Sequence, residues 1–220
     1  MSKKIYINPG HSDKDPGAVG HETERLLNVK VADYMNEYML ANYICQTKVT
    51  AGSINSTHTA STEANSWGAD LFVSIHFNAG GGDGYEALVY SVKNKELGLV
   101  FEKHIKAIGQ NSRGVKYRPD LNVLRLTNMP AVLNEGAFVD NQKDIQDWND
   151  DAELKKMGEA YAKAAAEFLD LEKKAAPAPA TSNILYRVQV GAYSAKANAE
   201  AMQKKLKADG YDAVIVEVKK

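Results

Sequence analysis

The sequence predicts an α/β fold: a mostly parallel, twisted sheet flanked by helices, followed by a small β-α-β unit at the C-terminus. Three observations carry this expectation. Short apolar runs alternate with amphipathic stretches of helical length, the sequence form of strands joined by crossover helices. A composition break at 173–183, KKAAPAPATSN, reads as a linker, because alternating Ala and Pro favours an extended spacer. The chain of 220 residues, 44% hydrophobic and 25% charged, has room for one full globular domain and a small companion.

The elements follow in order. Lys4–Asn8 is apolar and stops at Asn8-Pro9-Gly10, as a strand should. Over Glu22–Asn42, Leu27, Val31, Tyr34 and Tyr38 recur on one helical face. Ile44–Val49 is the next strand and Ser56–Trp67 the next helix. Leu71–Ile75 is a buried-strand run and Tyr85–Ser91 another. Lys95–Gln110 is helical, Asn122–Leu126 and Ala131–Asn134 are strands, and Asp151–Leu171 is a long Ala-rich helix. Beyond the linker come strand Tyr186–Val190, helix Ala195–Ala208 and strand Ala213–Val218. The domains expected are therefore 1–172, a linker at 173–183, and 184–220.

Charge and composition exclude several classes. Lys and Arg total 27 against 28 for Asp and Glu, which argues against a nucleic-acid binder and a polybasic membrane anchor. The C-terminal unit differs, with seven Lys/Arg against four Asp/Glu over 184–220. A single cysteine, Cys45, cannot form an internal disulfide and is most simply a small core residue. The apolar run after Met1 is only Ile5-Tyr6-Ile7, too short for a secretory leader. No stretch approaches the ~20 apolar residues of a membrane span. The chain is expected to be made in the cytoplasm without a signal peptide.

Candidate chemistry gathers at the ends of the predicted strands, where α/β sheets place ligands. His11 follows the first strand, His76 ends the strand Leu71–Ile75, and Glu135 ends the strand Ala131–Asn134. Glu24 lies at the start of the first long helix. Two imidazoles and a carboxylate form a catalytic zinc set with one position left for water. A second carboxylate beside them can move protons. His21 and Glu22 compete for these roles on position alone, and no compact metal motif such as HExxH decides between them. His58 falls at a helix N-terminus, and His104, in a Lys- and Glu-rich helix, is expected to face solvent.

A set of motifs narrows the choice. Ile7-Asn8-Pro9-Gly10-His11, Asp15-Pro16-Gly17-Ala18-Val19-Gly20, and Glu24 with Asn28 four residues later come first. Ala64-Asn65, the run Ala69 to Ala79 containing Ser74-Ile75-His76, Val123-Leu124-Arg125, the run Pro130 to Phe138, and Asn141 follow. In this order, over most of 1–172, they resemble the zinc-dependent N-acetylmuramoyl-L-alanine amidases of type 3. The resemblance implies Zn2+ held by His11, Glu24 and His76, with Glu135 as the catalytic residue. It implies hydrolysis, by zinc-activated water, of the amide between N-acetylmuramic acid and L-alanine in peptidoglycan. Ser12-Asp13-Lys14 stands where the family has further glycines, and Gly136-Ala137 reverses the usual order after the catalytic Glu.

The tail, with Tyr186 to Tyr193, Asn198-Ala199 and Gly210-Tyr211, looks like about half of a SPOR-type module, a family that binds peptidoglycan glycan. Its helix carries Ala195, Ala199, Met202 and Leu206 as an apolar stripe that needs a sheet to cover it. About 37 residues make a marginal core, so a homodimer through this unit is expected. The whole is expected to be a cell-lytic wall hydrolase, of the phage endolysin or mother-cell type, acting on the wall after release. Its rivals are a zinc peptidase cutting within the stem peptide and a non-catalytic wall-binding protein.

Overall fold

A computed structural model describes residues 2–50, 57–175 and 188–218. It divides into two compact units, 1–175 and 176–220. The first unit runs β1 (Lys3–Pro9), α1 (Glu24–Asn42), β2 (Cys45–Val49), α2 (Thr57–Trp67), β3 (Leu71–Asn78) and β4 (Tyr85–Val89). It continues through α3 (Lys95–Ala107), β5 (Ser112–Tyr117), α4 (Asn122–Arg125), β6 (Ala131–Phe138), α5 (Gln142–Gln146) and α6 (Asp151–Leu169).

The six strands form one sheet in the order β2-β1-β3-β6-β4-β5. Every neighbouring pair is parallel except β4 with β6. The expectation of a mostly parallel sheet flanked by helices is met. Alternation along the strands assigns the two faces. Ile5, Ile7, Val73, Ile75 and Val132 pack under α1, α3 and α6 in the larger core cluster. Tyr6, Phe72, Leu88 and Leu133 pack under α2 and α4 on the other face.

Three local readings change. Asn122–Leu126 is a helical turn and not a strand: Leu124 and Arg125 both donate backbone N–H groups to the Leu121 carbonyl. Val123 and Leu124 both enter the core from that single turn, and a short apolar run does not distinguish the two states. The strand β5 carries Gly114 among basic residues, a pattern the sequence reading left unassigned, and it lies at the sheet edge where such residues belong. The strands β3 and β6 run past their expected ends, so His76 and Glu135 sit within their last residues.

In the second unit the expected helix is present as α7 (Lys196–Ala208), with Ala199, Met202 and Leu206 partly buried. The expected flanking strands differ. Tyr186 and Arg187 lie outside the described residues, and neither 188–190 nor 211–218 forms a ladder. Val188, Val190, Val214, Val216 and Val218 are all exposed, so one helix does not bury both apolar segments.

Candidate metal centre

The parallel strands β1, β3 and β6 end on one edge of the sheet, and that edge collects the candidate residues. The backbone N–H of Gly10 donates to the Ile75 carbonyl at 2.8 Å, tying the end of β1 to β3. His11 follows in the left-handed region, φ 65°, a conformation uncommon for a side-chain-bearing residue and typical of constrained sites. Glu24 is the first residue of α1, where a carboxylate meets the positive end of the helix.

His11, Glu24 and His76 converge: one potential ligand atom from each lies within 4.8 Å of the others. His11 Nε2 is 3.0 Å from Glu24 Oε2, and His76 Nδ1 is 2.9 Å from Glu24 Oε1. The carboxylate is buried and also accepts from the backbone N–H groups of Ala18, at 2.8 Å, and Phe77, at 3.2 Å. Two glycines leave room for the cluster. A β-carbon on Gly10 would lie 2.1 Å from His76 Cε1. One on Gly17, itself at φ +70°, would lie 2.5 Å from both Glu24 Oε2 and His11 Cδ2.

Electrostatics follow from this packing. Burial would raise the Glu24 pKa, but hydrogen bonds with His11 and His76 outweigh it and hold the carboxyl well below the usual range. The Glu24 hydrogen bond pushes His11 up to about 9, with burial opposing and Asp15 assisting. Asp15 Oδ2 lies 3.0 Å from His11 Nδ1, on the ring nitrogen away from Glu24. A carboxylate on the outer nitrogen of a histidine is how metal-ligating imidazoles are oriented.

Glu135 faces His76 in the β3/β6 register. Burial pushes its pKa up to about 7, with His76 opposing and Glu24 and Glu86 adding to the rise. Its Oε2 is buried without a hydrogen-bond partner among the described residues. A carboxyl poised near neutrality with one free oxygen is suited to taking and returning a proton.

The competitors lie elsewhere. His21 is exposed, and its backbone N–H donates to Val139; Glu22 is not part of the cluster. His104 does not face open solvent: only 19% of its side chain is exposed, and Nε2 lies 2.8 Å from Glu167 of α6. Cys45 is partly buried in β2 against the core. Sequence reasoning missed Asp15 as the partner of His11, although its i+4 spacing was visible. It also missed Arg25, and it named Asn28 only as a motif residue; both side chains donate to the Gly10 carbonyl, at 3.4 and 3.2 Å, and brace the turn.

Two imidazoles and a carboxylate beside a buried carboxyl, at the carboxyl edge of a parallel sheet, form a layout suited to a metal-assisted hydrolase. Comparison with known proteins gives the family. Residues 5–167 match the Amidase_3 family, N-acetylmuramoyl-L-alanine amidase, and the chain belongs to it. Residues 158–220 match the SPOR domain. The chain is 33% identical to the N-acetylmuramoyl-L-alanine amidase CwlM of Bacillus licheniformis, over 97% of its own length and 84% of the relative's. It is 35% identical to the endolysin of Bacillus phage SPP1, over 79% of its length and 69% of the relative's. Among solved structures, the catalytic domain of the amidase CwlV from Bacillus (Paenibacillus) polymyxa var. colistinus aligns with TM-score 0.73 at 27% identity. That alignment covers 77% of this chain and 99% of CwlV.

Proposed function

We propose that this chain is a zinc-dependent peptidoglycan hydrolase that cleaves the amide between N-acetylmuramic acid and L-alanine, with His11, Glu24 and His76 as metal ligands and Glu135 as the catalytic residue. The observation that carries the reading is the convergence of those three side chains beside the free buried oxygen of Glu135. The donor set suits zinc: two neutral imidazoles and one carboxylate match a catalytic site, whereas calcium and magnesium favour all-oxygen cages. The glycine cradle and the Asp15 brace support the same fit.

When bound, zinc supplies a Lewis acid that polarises the amide carbonyl. The remaining work falls to the chain. Asp15 keeps the His11 ring in one orientation, and the Ala18 and Phe77 N–H groups hold both oxygens of Glu24. Glu135 takes a proton from the attacking water at Oε2 and returns it to the L-alanine nitrogen as the C–N bond breaks. The burial that raises its pKa also lets it hold that proton near neutral pH.

The layout proposed is a catalytic domain over 1–172, a spacer at 173–183, and a unit at 184–220 that binds wall glycan and pairs with a second copy. The exposed valines flanking α7 support the pairing, since each copy leaves them uncovered. No described helix is long and apolar enough to cross a membrane. Action on the cell wall as a lytic enzyme agrees with relatives that include a phage endolysin and a sporulation-specific amidase of Bacillus subtilis. Mass spectrometry of digested peptidoglycan tests the reading. Released stem peptides with a free L-alanine amine are expected, and peptides cut internally would overturn it in favour of a stem-peptide peptidase.

A further inference from the structure

The edge strand β5 contains a break in register with a chemical consequence. Tyr85 pairs with Ser112 and Ala87 with Val115, so three steps along β5 match two along β4. Gly114, at φ +87°, lies in this bulge, a conformation that glycine adopts without strain. In a regular strand, residues 113 and 116 would stand on opposite faces of the sheet. Here both side chains reach the same atom, Oε1 of Glu86.

Glu86 is the residue opposite Glu135 in the antiparallel β4/β6 pair. Because β4 reverses direction and β5 runs parallel to it, their first residues lie at the edge where β3 and β6 end. The side chains of Arg113 and Lys116 are each 42% exposed, whereas that of Glu86 is 7% exposed. One buried carboxylate therefore anchors two half-exposed cations beside the catalytic centre. Among the described residues the terminal amino groups of Arg113 have no hydrogen-bond partner, and its guanidinium lies 5.3 Å from the Phe138 ring. Arg118, farther along, is instead engaged bidentately by Asp120 through Nε and one terminal nitrogen, and is not held by Glu86.

We propose that the bulge at Gly114 builds an anion subsite from Arg113 and Lys116, held in place by Glu86, that receives a carboxylate of the peptide stem and so fixes which side of Glu135 the peptide occupies. This deepens the amidase reading and rests on it. The N-acetylated sugars carry no charge, and the lactyl carboxyl is consumed in the scissile amide, so the anionic groups within reach belong to the peptide. An anchored guanidinium with free terminal N–H groups suits a carboxylate.

Two synthetic muramoyl dipeptides test the subsite, alike except that the residue after L-alanine bears a free carboxylate or a carboxamide. The wild-type chain loaded with zinc is expected to favour the carboxylate substrate about 10-fold in kcat/KM, through KM, the scale of one charge-assisted hydrogen bond. Arg113→Gln and Lys116→Gln should each raise KM for the carboxylate substrate by about 5- to 10-fold, with kcat within twofold. Neither should change KM for the carboxamide, and Arg113→Lys should recover part of the loss. Lys116→Gln leaves the Arg113–Glu86 contact intact, so it remains informative if Arg113→Gln fails to fold. Equal use of both substrates by the wild type, or equal losses on both in the variants, would overturn the subsite while leaving the amidase reading standing. Cleavage of neither substrate by the wild type would overturn both.

Discussion

Gly10 and His76 are in contact across the ends of β1 and β3, with no room for a side chain between them: a β-carbon on Gly10 would fall within 2.5 Å of three atoms of the imidazole ring. The ring must therefore move if Gly10 gains even a methyl group. The surrounding hydrogen bonds, Gly10 N–H to Ile75 and Asn28 to the Gly10 carbonyl, fix the backbone, so the imidazole is the part that yields. Gly10→Ala is expected to lower metal affinity by about 10- to 100-fold, the usual cost of misplacing a ligand's support. The far-ultraviolet circular dichroism spectrum should not change. Isothermal titration with zinc measures the first, and an unchanged affinity would show that His76 is not a ligand.

Metal uptake should depend on pH through His11. In the metal-free chain its hydrogen bond to Glu24 raises its pKa to about 9, so most molecules carry a proton there at neutral pH. A metal ligand must be unprotonated, and binding must expel that proton. Zinc affinity is expected to rise as pH increases toward about 9, with proton release detectable from the buffer dependence of the binding heat. His11→Ala, Glu24→Ala and His76→Ala should each lose most of the metal, while His21→Ala should retain it. Chelation should abolish wall lysis, and added zinc should restore it. Full lysis by a preparation shown to be metal-free would contradict the assignment.

Much of this was legible because short-range signals and the final geometry agree. The apolar runs at β1 and β3 ended where sequence placed ligands, since a parallel sheet collects its loops on one edge. What stayed hidden was contact between residues remote in sequence. Nothing in Arg113-Gly114-Val115-Lys116 announces that two cations share Glu86, because the bulge that aligns them exists only against β4. His104 looked solvent-facing beside Lys103 and Lys106, yet Glu167 lies across from it on α6. Val123-Leu124 gave the same apolar signal as a strand, and tertiary packing under the sheet chose a helical turn.

Glu135 should give up stability for function, and pH should expose the exchange. Its carboxyl has a folded pKa of about 7, above the unfolded value of ~4.3. The folded chain therefore holds this proton more tightly than the unfolded chain. The associated stability is fully present below about pH 4 and is lost as pH rises through 7. A shift of this size corresponds to a difference on the order of 3 kcal/mol. Glu135→Gln removes that titration, so in the metal-free protein the variant should gain on the wild type between pH 5 and pH 8. Urea denaturation at the two pH values measures this. The same change should cut kcat at least ~100-fold while leaving zinc content near wild type, as expected for a proton carrier that is not a ligand. Loss of zinc together with activity would make Glu135 a ligand instead.

The exposed valines of the C-terminal unit lead to an experiment on assembly. Val188 and Val218 are more than four-fifths exposed, and Val190, Val214 and Val216 at least half. The helix α7 offers only Ala199, Met202 and Leu206 as partly buried apolar partners. Each fully buried valine contributes about 1.5–3 kcal/mol, so a surface that covers several of them can offset the entropy of joining two chains. Pairing of two copies would let both extended segments form ladders across a two-fold axis. Light scattering on the intact protein should give a dimer, and a chain ending at Ala175 should be monomeric. The shorter chain retains the whole catalytic sheet and should still cleave small soluble muramoyl peptides at near wild-type kcat. It should be retained on insoluble wall material to a much smaller extent than the intact protein. Val214→Glu and Val216→Glu, made in the full chain, should dissociate the dimer without altering kcat on the soluble substrate. A monomeric intact protein would reject the pairing, and equal retention of both chains on wall material would reject the binding role of residues 184–220.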